Sequence, residues 1–133
     1  MKKIYFVLPG FSRRPIGGYK IILKYANLLA SENYKVGIVY LEDKRYPKYS
    51  WKWLVLKYWT KKGPNWIKLN GSIKTYTIRN LKKATIETNS EDIAIASSVE
   101  TVLPTEKLFS NAKKFYFIQD LEDWNVGKEY LFE

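Results

Sequence analysis

Neither cysteine nor histidine occurs anywhere in the 133 residues. The first absence removes disulfides and thiol nucleophiles. The second removes the imidazole that serves as general base and zinc ligand near neutral pH. Zinc sites and Ser-His-Asp catalysis are therefore not expected, and no metal is. Long apolar runs are missing as well. Only Ile4 to Leu8 separate Met1-Lys2-Lys3 from Pro9, too few for the apolar region of a signal peptide. Nothing approaches the ~18 consecutive apolar residues of a membrane span. The expected location is the cytoplasm, at most peripheral at the inner face of the membrane.

Acidic residues are missing from one stretch in particular. From Lys44 to Lys83 there are twelve Lys or Arg and not one Asp or Glu, whereas the remainder holds eleven basic against thirteen acidic residues. The formal net charge of +10 thus comes from a single segment. It suits an anionic partner on one face, such as a membrane surface, a lipid-linked phosphate or nucleic acid, or else it is a solvated basic face with no partner.

What is present is enough to fold. A hydrophobic fraction of 46 % and an aromatic fraction of 17 % are too high for a disordered chain, and the length fits one domain. Lys3 to Leu8 is a short apolar run ended by Pro9-Gly10, the pattern of a strand buried on both faces. Ile21, Ile22, Tyr25, Ala26, Leu28 and Leu29 then recur at helical spacing, with Lys20, Lys24, Asn27 and Ser31 opposite. That helix is expected to end near Asn33. Val36 to Leu41 gives a second buried strand, which makes a parallel βαβ unit with a right-handed crossover. Further strands are expected at 73–78, 93–97 and 115–118, with a helix over 99–109. Five strands alternating with helices define an α/β fold, a Rossmann-like, doubly wound, mainly parallel sheet. The last residues, 127–133, read as a helix just starting, so the polypeptide is expected to continue.

The first βα connection, Pro9 to Gly18, contains Arg13 and Arg14 and ends in Pro15-Ile16-Gly17-Gly18. Ligands in open α/β sheets bind at the carboxyl ends of the strands, where a helix starting at Gly18 points unpaired N–H groups suited to phosphate. Adjacent glycines let a ligand approach the backbone closely. A plain turn is the alternative use of Gly17-Gly18. The dinucleotide fingerprint Gly-x-Gly-x-x-Gly is absent, and a nine-residue loop is long for such a turn. Glu42 or Asp43, ending the second strand, would be placed to hold a ribose and keeps a dinucleotide-binding reading open. The Walker spacing and its Lys-Ser/Thr pair are missing, which argues against ATP hydrolysis.

Four stretches together carry a resemblance. They are Ile4 to Leu8 with Pro15-x-Gly17-Gly18, then Tyr25-Ala26-Asn27-Leu28-Leu29-Ala30, then Val36 to Tyr40, and finally Gln119-Asp120-Leu121-Glu122 after a late strand. The sequence resembles the amino-terminal domains of GT-B glycosyltransferases, especially the retaining family-4 type and its rhamnosyltransferase-like members. The resemblance implies a nucleotide-diphosphate-sugar donor, used as substrate without a cofactor, in a cleft between two Rossmann-like domains. Gly17 and Gly18 would reach the donor diphosphate. Arg13, Arg14, Asp120 and Glu122 would position acceptor or donor, with helix capping and surface solvation the alternative for the two acids. The acceptor would be a glycan or a lipid-linked molecule. Most donor contacts in the family, including a pair of glutamates, come from a carboxyl-terminal domain that these residues do not include. This stretch alone is therefore expected to be inactive and to require that domain or a partner chain. Many relatives have a histidine near the sugar, and this sequence has none.

Within the basic segment, residues 49–59 mix large aromatics with lysines. Trp51, Leu54, Val55 and Tyr58 share a helical face, and Lys48, Trp51, Lys52, Trp53, Lys57, Trp59, Lys61 and Lys62 are the candidates for contact with an anionic surface. The alternatives are aromatics packed on the sheet or on a missing domain, and a non-catalytic basic module. Aromatics interleaved with lysine also stack nucleic-acid bases, but no recognised nucleic-acid motif accompanies them.

Overall fold

The computed structural model describes residues 2–10, 17–42, 46–80 and 86–117. Its strands are β1 (Lys3–Leu8), β2 (Lys35–Leu41), β3 (Lys74–Ile78), β4 (Ile93–Ala96) and β5 (Lys113–Tyr116). The helices are α1 (Gly17–Ser31), α2 (Trp51–Lys62) and α3 (Val99–Leu108). The strands form one sheet in the order β3-β2-β1-β4-β5, and every adjacent pair is parallel. This is the Rossmann-like, doubly wound α/β arrangement expected from the alternation of elements.

Alternation along β1 divides the core in two. Ile4, Phe6 and Leu8 meet Ile22, Leu23, Ala26 and Ala30 of α1 on one face. Tyr5 and Val7 join Val39, Ala94, Leu108, Phe109 and Ala112 on the other, beneath α3. Lys57 of α2 bonds Thr77 of β3. Thr77 pairs with Tyr40, a member of the α1 cluster, so α2 lies on the α1 face. The two directions of winding therefore start from β1 and β4, the adjacent central strands.

α1 buries a narrower stripe than its periodicity suggests. Ile22, Leu23, Ala26 and Ala30 are buried, whereas Ile21, Tyr25 and Leu28 are exposed. Asn27, expected on the solvent face, fixes the segment before β3: its Oδ1 accepts from Asn70 N at 2.8 Å and its Nδ2 donates to Lys68 O at 3.0 Å. Trp66, Ile67, Leu69 and Ile73 pack beside it on the same cluster. That covering segment is why the helix faces the core through a rotated stripe. The helix ends where Asn33 adopts φ 69°, a left-handed position that asparagine tolerates.

β5 starts two residues earlier than expected, at Lys113, and Ile118 lies outside the described residues. Lysines are tolerated there because β5 is an edge strand, half open to water. At the base of the sheet the buried Asp92 carboxylate accepts from Lys3 N at 3.0 Å and Asn89 N at 3.1 Å. It joins the start of β1 to the turn that leads into β4. The helical segment expected at 127–133 also lies outside the described residues.

Candidate functional site

Because α1 and α3 wind to opposite faces from adjacent strands, their amino termini open on one crevice outside the carboxyl ends of β1 and β4. This is the switch point at which open α/β sheets take ligands. Gly17 and Gly18 are the first residues of α1, and its first turn holds no acidic side chain. A helix terminus of this kind carries partial positive charge on its first N–H groups.

Tyr19, directly after the glycines, ties this terminus to the sheet. Its hydroxyl donates to Gly10 O at 2.6 Å and accepts from Gly10 N at 3.2 Å. One phenol thus clamps both backbone groups of the residue that follows β1 and Pro9. Burial pushes the Tyr19 hydroxyl up to about 12; the Gly10 bond opposes that shift, and the nearby Glu100 carboxylate adds to it. Glu100 sits in the first turn of α3, so the two helix starts face each other closely enough to interact. Tyr40, at the end of β2, is also raised, by burial first and Tyr19 second.

The other wall is built from polar side chains. Thr101, fully buried, accepts at Oγ1 from Ser97 N at 3.0 Å and Ser98 N at 3.1 Å, and donates to Ser98 O at 2.8 Å. Ser97 Oγ donates to Val7 O at 2.6 Å, joining the end of β4 to β1. Thr105 donates to Thr101 O at 2.6 Å, one turn further on. The strand-to-helix corner is thus held by side chains, with Pro104 later in the same helix. Sequence reasoning did not single out Tyr19, Ser97 or Thr101. A Ser-x-x-Thr spacing at Ser98 to Thr101 is the signal that marks the helix start.

Of the expected site residues, Gly17 and Gly18 lie at the crevice, while Arg13, Arg14, Asp120 and Glu122 lie outside the described residues. Glu42, considered as a ribose ligand, is already engaged. Its Oε1 accepts from Trp53 Nε1–H and lies 3.8 Å from Arg79 Nη1, and its Oε2 lies 3.5 Å from Lys57 Nζ. Asp43 is outside the described residues. Among the described residues no group of acidic side chains is gathered as for a metal ion.

The eight candidate surface residues divide by helix face. Trp53 and Lys57 point inward to Glu42 and Thr77, and Trp59 is half-buried. Lys48, Trp51, Lys52, Lys61 and Lys62 are exposed. Ser50 caps α2 by accepting from Trp53 N at 3.3 Å, and Gly63, at φ 90°, ends it by donating to Trp59 O at 2.9 Å. No described helix is long and apolar enough to cross a membrane. Neither a protein-family model nor a curated protein nor a solved structure matches the chain, so its chemistry has to be read from its own residues.

Proposed function

We propose that the chain is the amino-terminal, acceptor-side half of a glycosyltransferase that uses a nucleotide-diphosphate-sugar. The donor diphosphate would lie against Gly17 and Gly18, and a glycan or lipid-linked acceptor would enter from the same crevice. The observation that carries this reading is the glycine pair at the first turn of α1, a turn with no acidic residue of its own, beside the β1/β4 switch point. Backbone N–H groups at such a terminus suit a diphosphate, and residues without Cβ admit it closely. Transfer itself requires the opposing domain, so these residues alone bind but do not turn over.

The dinucleotide alternative draws less support, because the Glu42 carboxylate that would grip a ribose is committed to Trp53, Lys57 and Arg79. Titration of the isotope-labelled protein with UDP-, GDP- and dTDP-hexoses, read by backbone amide shifts, tests the proposal. The expected result is saturable movement of Gly17, Gly18 and Tyr19 with at least one diphosphate-sugar and none with NAD. No movement at those amides with any donor, or equal movement with NAD, rejects it.

A further inference from the structure

We infer that the outer face of α2 docks on an anionic lipid surface. At 100° per residue, Trp51, Leu54, Tyr58 and Lys62 fall within an arc of about 80°, directly across the helix from Thr60. Thr60 is buried, whereas Trp51 is 80 %, Tyr58 59 % and Leu54 47 % exposed. Tyr49, just before the helix, is 71 % exposed and meets the Trp53 ring edge-on at 5.0 Å. Three large apolar side chains of the helix, Trp51, Leu54 and Tyr58, thus stand in one row in water, where an ordinary solvent-facing helix carries polar ones.

Lysines frame that row. Exposed Lys52 lies on one flank and exposed Lys61 on the other. Lys62 Nζ lies 5.9 Å from the centre of the Tyr58 ring. Lys61, Lys62 and Lys68 continue the charge around a hollow of about 500 Å³ beyond the helix end. A helix face with an apolar centre and cationic margins matches the boundary between headgroups and acyl chains. Base stacking is the poorer match, because aliphatic Leu54 occupies the middle of the row and the helix surface is convex, whereas single strands are held in a groove. Trp53 and Lys57 fasten the opposite face to Glu42 and Thr77, so the docking face is preformed. The inference rests on α2 alone and is independent of the ligand proposed for the crevice.

Flotation of the protein with phosphatidylcholine vesicles, plain or containing about one-third phosphatidylglycerol, tests it. Binding is expected to the anionic vesicles only and to weaken at high salt. Lys52→Gln and Lys62→Gln should each lower the partition constant about fivefold. Trp51→Ser should lower it severalfold through lost apolar burial. Lys113→Gln, on the far edge of the sheet, should leave it unchanged. Should Trp51→Ser fail to fold by circular dichroism, Tyr58→Ser reports on the same face. The proposal is overturned by absence of flotation with anionic vesicles at low salt, or by Trp51→Ser and Tyr58→Ser binding as the parent does. It is equally overturned if Lys113→Gln weakens binding as much as Lys52→Gln, or if a single-stranded oligonucleotide binds while vesicles do not.

Discussion

The rings of Tyr5 and Tyr76 meet over Gly37, their centroids 6.1 Å apart and their planes inclined at 56°. A Cβ at Gly37 would stand 2.8 Å from Tyr5 Cδ1 and 3.1 Å from Tyr76 Cε2. Tyr5 is buried and its ring centre lies 4.9 Å from that of Phe109, so it admits the methyl only by giving up that contact or shifting toward the hollow that it lines with Tyr76. Gly37→Ala is therefore expected to destabilise the protein by about 1 to 3 kcal/mol, despite alanine's lower conformational entropy when unfolded. Urea denaturation checks the loss, and a midpoint equal to the parent's would contradict it.

Thr101→Val keeps the shape of the side chain and removes the acceptor shared by Ser97 N and Ser98 N. Ser98 N loses its partner and Ser97 N keeps only its 3.3 Å bond to Val7 O, for an expected cost of about 1 to 2 kcal/mol. Thr101→Ser should retain most of the stability. Thermal unfolding of both variants measures the difference.

Much of this architecture was legible in the sequence, and the limits have physical causes. β1 and β2 stand out because strands buried on both faces are continuously apolar, and the α1 periodicity is unmistakable. Its buried face was less so, because Tyr25 and Leu28 are as apolar as Ile22 and Ala26. The helix is turned by Asn27 gripping a segment more than forty residues away. Glu42 likewise looks like a free carboxylate at a strand end until Trp53, Lys57 and Arg79 are brought to it. Trp51 and Trp53 are alike in composition and lie on opposite faces of one helix. Gly17-Gly18 was legible as a helix start at a strand end, whereas the clamp by Tyr19 depends on how the chain returns to Gly10.

The tyrosines predict the behaviour in alkali. Burial raises Tyr5 and Tyr19 to about 12 from an ordinary value of 10.0 and pushes Tyr40 up as well. Each group then holds its proton more tightly folded than unfolded. Its contribution is intact below pH 10 and is lost as pH rises toward 12. Stability should therefore fall across that window, with cooperative release of tyrosinate absorbance on unfolding. Tyr19→Phe should flatten the dependence while lowering stability at neutral pH by about 1 kcal/mol through its lost bonds to Gly10. A pH profile identical to the parent's would contradict this.

Gly18→Val separates binding from folding. Valine at the first turn of α1 narrows the approach to the backbone without removing a glycine-dependent turn, so the melting temperature should change little. Under the proposed glycosyltransferase function, the KM for the nucleotide-sugar, measured with the opposing domain present, is expected to rise by about tenfold, the scale of one charge-assisted hydrogen bond. Unchanged donor kinetics would refute the placement of the diphosphate.

Glu42→Gln should loosen α2 without disturbing the central strands. It weakens the attachments of Lys57 and Arg79 and the bond from Trp53. The cost is expected at about 1 kcal/mol, because Lys57 and Arg79 are partly solvated. Amide exchange should accelerate across residues 51–62 and stay slow in β1, and uniform acceleration would contradict this local role.

The placement of β1 between β2 and β4 also dictates an order of events as the chain is made. β1 pairs with β2 after about thirty residues, but its other edge pairs Ile4 with Ile93, and the Lys3 to Asp92 bond spans 89 positions. Until synthesis passes residue 96, the βαβ half has to carry an open, strongly apolar strand edge. Such an edge is open to pairing with another chain. The nascent chain is therefore most open to pairing with another chain between the synthesis of β2 and that of β4, before the second winding direction closes the sheet.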